Sequence, residues 1–191
     1  MGTLYTRIFA AAIGAAAFIA FATAPHAQEA KKAPADKAEM KKDEAAKGGD
    51  DGRRMREIAQ ADLAEVAAGK LGASKASSDE VKKYAQHMVD DHGKHLNELR
   101  SLAKTKGIQL PTAPVKKHQE AMKKLEEVSG ADFDRRFMAQ MVKDHQDALK
   151  LVQSTAKNAK DPALKADAEK TAPKIQEHRE MAKKVSAGLK K

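Results

Sequence analysis

Three histidines interrupt the apolar stripes of three predicted helices. His92, His145 and His178 each stand where the spacing of apolar side chains predicts a residue such as leucine. The sequence around the first two also repeats, as Met-Val-Asp-Asp-His and Met-Val-Lys-Asp-His, 53 residues apart. An imidazole in an apolar core needs partners, and clustered imidazolium charges would repel one another. Because neutral imidazoles donate lone pairs to transition metals, the three histidines predict a metal site.

The three histidines are expected at one level of a helical bundle. His92 precedes the predicted helix end at Gly107 by 15 residues, and His145 and His178 lie 16 and 17 residues from the turn at Asp161. A helix rises about 1.5 Å per residue, so antiparallel neighbours joined by short turns would bring these rings together.

Acidic residues could complete such a site. Asp62 and Glu65, on the first predicted helix, both reach the level of the three rings, and we take Glu65 as the ligand that offsets the charge of the ion. Asp91 and Asp144 each precede a histidine and could accept hydrogen bonds that fix the ring tautomers. Three histidines with one carboxylate fit Zn, Cu, Mn or Fe.

A metal-free layer of hydrogen-bonded histidines is the alternative interpretation of these positions. Met88 and Met141 lie one turn from two of the histidines, where thioethers would favour copper, although methionines there more often fill a core. The Glu-x-x-His pattern of di-iron bundles is missing from the sequence. Oxidase or peroxidase chemistry therefore lacks its usual ligands.

Three further histidines are expected in structural or solvated positions. His95 sits at the edge of the stripe that contains His92, and His87 lies off that stripe, where water would surround it. His118 lies on the apolar side of a short helix and is expected to pack across the end of the bundle.

Helices must position all of these residues. Abundant Ala, Lys, Glu and Met with few aromatic residues favour helices over strands. A capping box is expected over residues 77–80, and Asp161 is expected to cap the last helix, whose interior contains Pro173. The predicted helices span residues 53–74, 77–107, 114–128, 131–159 and 161–188. Short connections between the four long ones predict an antiparallel four-helix bundle, with one short extra helix between the second and third long helices.

The N-terminal segment is typical of an exported protein. Residues 1–27 resemble a secretory signal peptide, since Arg7 precedes an apolar run over 8–22 that is too short for a comfortable membrane span. A retained amphipathic anchor is the alternative. Residues 28–52 contain almost no large apolar side chain and are predicted to form a disordered charged spacer before the folded domain of residues 53–191. We therefore expect a periplasmic or secreted protein with no transmembrane span in the mature chain.

Composition excludes several classes of protein. The 191 residues include 36 Lys and Arg against 27 Asp and Glu and no Cys, which excludes a disulfide scaffold and a thiol enzyme. Serine and threonine appear in no recognisable nucleophile motif. The basic faces predict the alternative function, that of a metal-free structural or envelope-stress protein that binds anionic envelope polymers. With few aromatic residues, base stacking and specific nucleic-acid binding are not expected.

Several segments resemble domain-of-unknown-function family 4142. They are Ala-Glu-Val at 64–66, Tyr-Ala-Gln-His-Met-Val-Asp-Asp-His at 84–92, Gly-Ala-Asp-Phe-Asp at 130–134 and the run from Pro173 to His178. The resemblance extends over nearly all of residues 53–185. It implies a ferritin-like bundle in exported bacterial proteins, with Pro173 at a position typical of the family, and it implies no established activity.

Overall fold

The computed structural model describes residues 47–189, and this part of the chain contains five helices and no strand. The all-α class is therefore confirmed. The predicted signal peptide and the spacer up to residue 46 lie outside the described residues. None of the five helices combines the length and apolar character needed to cross a membrane. In chain order the helices are α1 (Gly49–Lys75), α2 (Asp79–Thr105), α3 (Lys116–Glu126), α4 (Gly130–Asn158) and α5 (Pro162–Gly188).

Helix α1 begins four residues before the predicted start at Arg53, within the segment assigned to the spacer. The Asp51 carboxylate explains this early start, because it accepts hydrogen bonds from the backbone N–H groups of Lys160 and Asp161, the latter at 2.7 Å. An acidic residue in the first turn also stabilises the positive end of the helix dipole. The first turn of α1 is thus held by the turn between α4 and α5.

The start of α2 differs from the predicted capping box. Ser78 precedes the helix, but its side chain makes no capping bond to the backbone. Instead, the buried carboxylate of Asp134 on α4 accepts the backbone N–H groups of Ser77 and Ser78 at 3.0 and 2.8 Å. A residue distant in sequence therefore caps this helix. Asp161 caps α5 as predicted, accepting the N–H groups of Ala163 and Leu164 at 3.0 Å each.

The long helices pack in pairs. Helix α1 packs along α2 and α4 packs along α5, while α1 also contacts α4 and α2 also contacts α5. The short helix α3 contacts α1 and α4. Pro173 lies inside α5, which continues on both sides of it.

The apolar interior consists of two clusters. The first contains Met55, Leu99 and Val152, and the second contains Met88 and Phe137. Between the clusters, α1, α2, α4 and α5 each contribute buried polar residues, namely Asp62, Glu65, His92, His145 and His178. A polar layer thus interrupts the core at the level predicted for the histidines.

Helices α1 and α2 approach each other closely at Gly69. A Cβ atom added there would lie 2.7 Å from the carbonyl oxygen of Ala85 and 2.8 Å from a methyl group of Val89. At Gly93, also within a helix, an added Cβ atom would meet no atom within 4 Å.

We expect Gly69→Ala to lower the free energy of unfolding by about 1–3 kcal/mol, because the helices must move apart. The matched control, Gly93→Ala, should raise it by about 0.5–1 kcal/mol through better helix propensity. Urea denaturation of both variants measures the difference. Equal effects of the two substitutions would contradict the close approach at Gly69.

Candidate metal centre

The rings of His92, His145 and His178 meet in the interior. They come from α2, α4 and α5 and are 3, 0 and 2% exposed. One nitrogen from each ring lies within 4.8 Å of the other two, and Nε2 of His92 is 3.4 Å from Nε2 of His145. The predicted convergence of three histidines at one level is therefore present in this structure.

His145 has its tautomer set by the backbone. Its Nδ1 lies 2.9 Å from the carbonyl oxygen of Met141, one turn earlier in α4. A carbonyl oxygen can only accept, so Nδ1 carries the proton and donates. The lone pair of the neutral ring is then on Nε2, which faces His92.

His92 donates to an acidic residue of α1. Its Nδ1 lies 2.8 Å from Oδ1 of Asp62, a side chain that is 3% exposed. Burial alone would raise the pKa of Asp62, but hydrogen bonds from His92 and His95 outweigh that effect and lower the pKa. The ionised carboxylate accepts the Nδ1 proton and leaves Nε2 of His92 directed at the shared centre.

His178 has the opposite ring orientation. Its Nε2 donates to Oδ2 of Asp91 on α2 at 2.9 Å. Its Nδ1 is buried and has no hydrogen-bond partner among residues 47–189. Because Asp91 accepts the proton of Nε2, the lone pair of the neutral ring is on the unpartnered Nδ1.

Burial keeps two of the rings neutral. It lowers the pKa of His145 to about 3, with a further contribution from the neighbouring His92. It lowers the pKa of His178 to about 4, although Asp91 acts in the opposite direction. At neutral pH both rings therefore offer a lone pair, and three nitrogens converge as a tripod.

Glu65 and Asp144 do not take their predicted places. Oε1 of Glu65 lies 3.5 Å from Nδ1 of His145, the nitrogen that faces Met141, so its carboxyl group is outside the converging set. Burial raises the pKa of Glu65 well above its usual range, and Asp144 and Asp62 add to this effect. Asp144 accepts from Gln140 at 2.8 Å and bonds to no histidine in the described residues. Asp62, the other acid considered on α1, is the one that contacts the histidines.

His95 forms an ion-pair network that the sequence did not reveal. Its Nδ1 donates to Oδ2 of Asp62 at 2.8 Å and its Nε2 lies 3.3 Å from Oδ2 of Asp167 and 3.2 Å from the hydroxyl of Thr171. Burial alone would lower the pKa of His95, but the hydrogen bonds to Asp167 and Asp62 raise it to about 10. A protonated His95 therefore links α1, α2 and α5 beside the tripod. Its position three residues after His92, nearly one helical turn, was the one feature of the sequence that indicated a shared acidic partner.

A cleft of about 190 Å³ reaches two of the three rings. It lies between α2 and α5 and is lined by His92, His178 and Asp91 together with Lys94, Lys170 and Lys174. His145 does not line it. The cleft offers solvent and small solutes a route to the edge of the buried centre.

Fold and site together define an all-helical protein whose core is interrupted by a buried cluster of three histidines. The chain belongs to the family described as Domain of unknown function (DUF4142), whose model matches residues 26–185. This match confirms the resemblance seen in the sequence. Neither the curated proteins nor the solved structures include a match to the chain.

Protonation of the unfolded chain at His145 and His178 should destabilise the metal-free protein in mild acid. Because the pKa values of His145 and His178 are lower in the folded chain than the usual value of about 6.5, the unfolded chain binds protons that the folded chain does not. This difference should lower the free energy of unfolding by about 2 kcal/mol or more from pH 7 to pH 5, while Glu65 and His95, whose pKa values are raised, act in the opposite direction. Urea titrations in the presence of a chelator measure it. Relative to the wild type, a His145→Gln/His178→Gln variant with His95 and the carboxylates unchanged should therefore gain about 2 kcal/mol or more between pH 7 and pH 5. The same pH dependence in both proteins would contradict the assignment.

Glu65→Gln should stabilise the protein at neutral pH. Glu65 ionises less readily in the folded chain than in the unfolded chain, so the native acid costs stability above the unfolded pKa. We expect the free energy of unfolding at pH 7 to rise by about 1 kcal/mol and the gain to vanish near pH 4. Chemical denaturation at both pH values measures it. A destabilised variant at pH 7 would mean that an ionised Glu65 is required.

Proposed function

We propose that the protein binds one transition-metal ion between its long helices through Nε2 of His92, Nε2 of His145 and Nδ1 of His178. The observation that carries this proposal is the convergence of three buried nitrogens whose partner nitrogens each face a hydrogen-bond acceptor. Three histidines are a common ligand set for a metal ion that keeps a further position for water or another ligand.

The acceptors around the rings favour a metal over a hydrogen-bonded layer. In a layer, one proton between His92 and His145 would satisfy their facing nitrogens, but Nδ1 of His178 would still lack a partner. A metal ion satisfies all three nitrogens at once. Carboxylates that hold the far nitrogens, as Asp62 and Asp91 do, raise the basicity of histidine ligands.

The donor set narrows the choice of metal. Imidazole nitrogens suit Zn²⁺, Cu²⁺ and iron, whereas Mn²⁺ prefers oxygen ligands, and Glu65 is not placed to supply one. Asp62 and Asp91 supply negative charge close to a divalent ion. Met88 and Met141 are completely buried within the second core cluster, as expected of side chains that fill a core. Zn²⁺ and Cu²⁺ are therefore the metals to test first.

We also propose that the four long helices form an antiparallel, ferritin-like bundle. The order of contacts supports it. Between α1 and α2, Gly69 lies beside Val89, while Asp62 reaches the later residue His95. Between α2 and α5, Asp91 contacts His178, while His95 contacts the earlier Asp167.

We also propose that the protein is exported. Removal of residues 1–27 as a signal peptide would deliver the domain to the periplasm or the medium, where the metal would be acquired. Binding of anionic envelope polymers by the basic faces stays a prediction from the sequence.

Metal binding by the purified full chain tests the proposal. We expect the wild-type protein, after treatment with a chelator, to bind one Zn²⁺ or Cu²⁺ ion in a calorimetric titration. A His92→Gln/His145→Gln variant should lose affinity by at least about 100-fold, since loss of an outer partner alone costs about 10–100-fold. His118→Gln, which alters a histidine outside the cluster, is the matched control.

Elemental analysis of the wild type and the double variant, after each is loaded with metal and excess ion is removed, tests whether the tripod holds the ion. Equal metal content in the wild type and the double variant would exclude the tripod. At a free metal concentration 100 times the wild-type Kd, the wild-type chain should gain about 2.7 kcal/mol in its free energy of unfolding, and the double variant should gain less than about 0.5 kcal/mol.

A further inference from the structure

A second group of ligand atoms lies on the outer side of His178. His87, Asp91 and His178 each offer one atom within 4.8 Å of the other two. Oδ2 of Asp91 lies 2.9 Å from Nε2 of His178 and 3.5 Å from Nε2 of His87. The side chains of His87 and Asp91 are 43 and 34% exposed, whereas that of His178 is 3% exposed. The group therefore extends from the surface to the buried tripod.

We propose that His87, Asp91 and Nε2 of His178 form an outer metal site at which the ion is captured before it reaches the buried tripod. This inference rests on the proposed metal-binding function. Two imidazoles and a carboxylate are suitable ligands for Zn²⁺ and similar ions. In the tripod, the partners of His92 and His145, which are Asp62 and the Met141 carbonyl, are buried. The partner of His178, Asp91, is partly exposed.

The shared ring makes the two sites alternatives for one ion. A neutral imidazole has one lone pair, so His178 binds an ion either through Nε2 in the outer site or through Nδ1 in the tripod. Inward transfer therefore moves the ion and one proton in opposite directions between the two nitrogens. The ion leaves Nε2 and binds Nδ1, Nδ1 releases its proton, and Nε2 takes up one proton, which it keeps in the hydrogen bond to Asp91, so the ring carries one proton before and after.

A second approach to His178 lies on the side of His87. The cleft between α2 and α5 is lined by lysines and by carboxylates, among them Lys170 and Glu98, which pair at 3.4 Å. His87 does not line that cleft. Its ring lies 5.3 Å from the ring of His178 between centroids. Because His87 is partly exposed, a route past its ring leads to His178 from outside the cleft.

Removal of the tripod isolates the outer site. In His145→Gln the outer residues are intact, so Zn²⁺ should still bind, with an affinity lowered by about 100-fold or more. The double variant His87→Gln/His145→Gln should lose this residual binding, and His118→Gln/His145→Gln should retain it. Thermal unfolding confirms that each variant is folded, and His92→Gln replaces His145→Gln as the background if the latter does not fold.

Binding kinetics test the path of the ion. We expect His87→Gln to slow the uptake of Co²⁺, followed by its visible absorption in a stopped-flow instrument, by about 5-fold or more, while the equilibrium affinity changes less than about 3-fold. His118→Gln should take up Co²⁺ at the wild-type rate. An unchanged rate in His87→Gln would overturn the capture role.

The outcomes separate the two proposals. One ion in the wild type with no residual binding in His145→Gln or His92→Gln overturns the outer site and leaves the tripod standing. Binding that depends on His87 but not on His145 overturns the tripod and supports the outer site. No binding of Zn²⁺ or Co²⁺ by the wild-type chain overturns both.

Discussion

A neutral imidazole in an apolar core has two nitrogens with opposite needs, and this requirement organises the centre of the molecule. One nitrogen must donate its proton to an acceptor, and the other then presents a lone pair. Asp62, the Met141 carbonyl and Asp91 supply the acceptors from α1, α4 and α2. Because each acceptor takes the proton of one nitrogen, the lone pair of each neutral ring is left on its other nitrogen. The arrangement of acceptors, more than the histidines themselves, makes the centre suitable for a cation.

Helical periodicity was sufficient to predict the elements and the level of the histidines. The apolar stripes of α2 and α4 repeat with the same spacing, so the positions of His92 and His145 could be compared directly. Helix starts were predicted less well because distant residues determine two of them. Asp51 holds the beginning of α1 against the turn before α5, and Asp134 of α4 caps α2. Such contacts between distant residues leave no periodic signal in the sequence.

The acidic residues were harder to predict, for a geometric reason. Asp62 and Glu65 are three residues apart on α1, nearly one turn, so an error of a few residues in a helix boundary exchanges their levels. Asp91 and Asp144 each come one residue before one of the repeated histidines. Asp91 bonds to the ring of His178 on the neighbouring α5, whereas Asp144 bonds to Gln140. Which side of a helix receives a neighbour depends on how the helices associate, and a single stripe does not specify it. The role of His87 depends on the same association.

The polar layer between the two core clusters also fixes how the helices align along their axes. A helix that slid by one turn, about 5.4 Å, would bury its histidine or carboxylate against methionine, leucine or phenylalanine and strip it of its partner. Apolar side chains alone tolerate such shifts, since one apolar contact replaces another of similar energy. A single layer of mutually dependent polar groups does not tolerate them. The layer therefore fixes one axial arrangement of the four long helices, whether or not an ion occupies its centre.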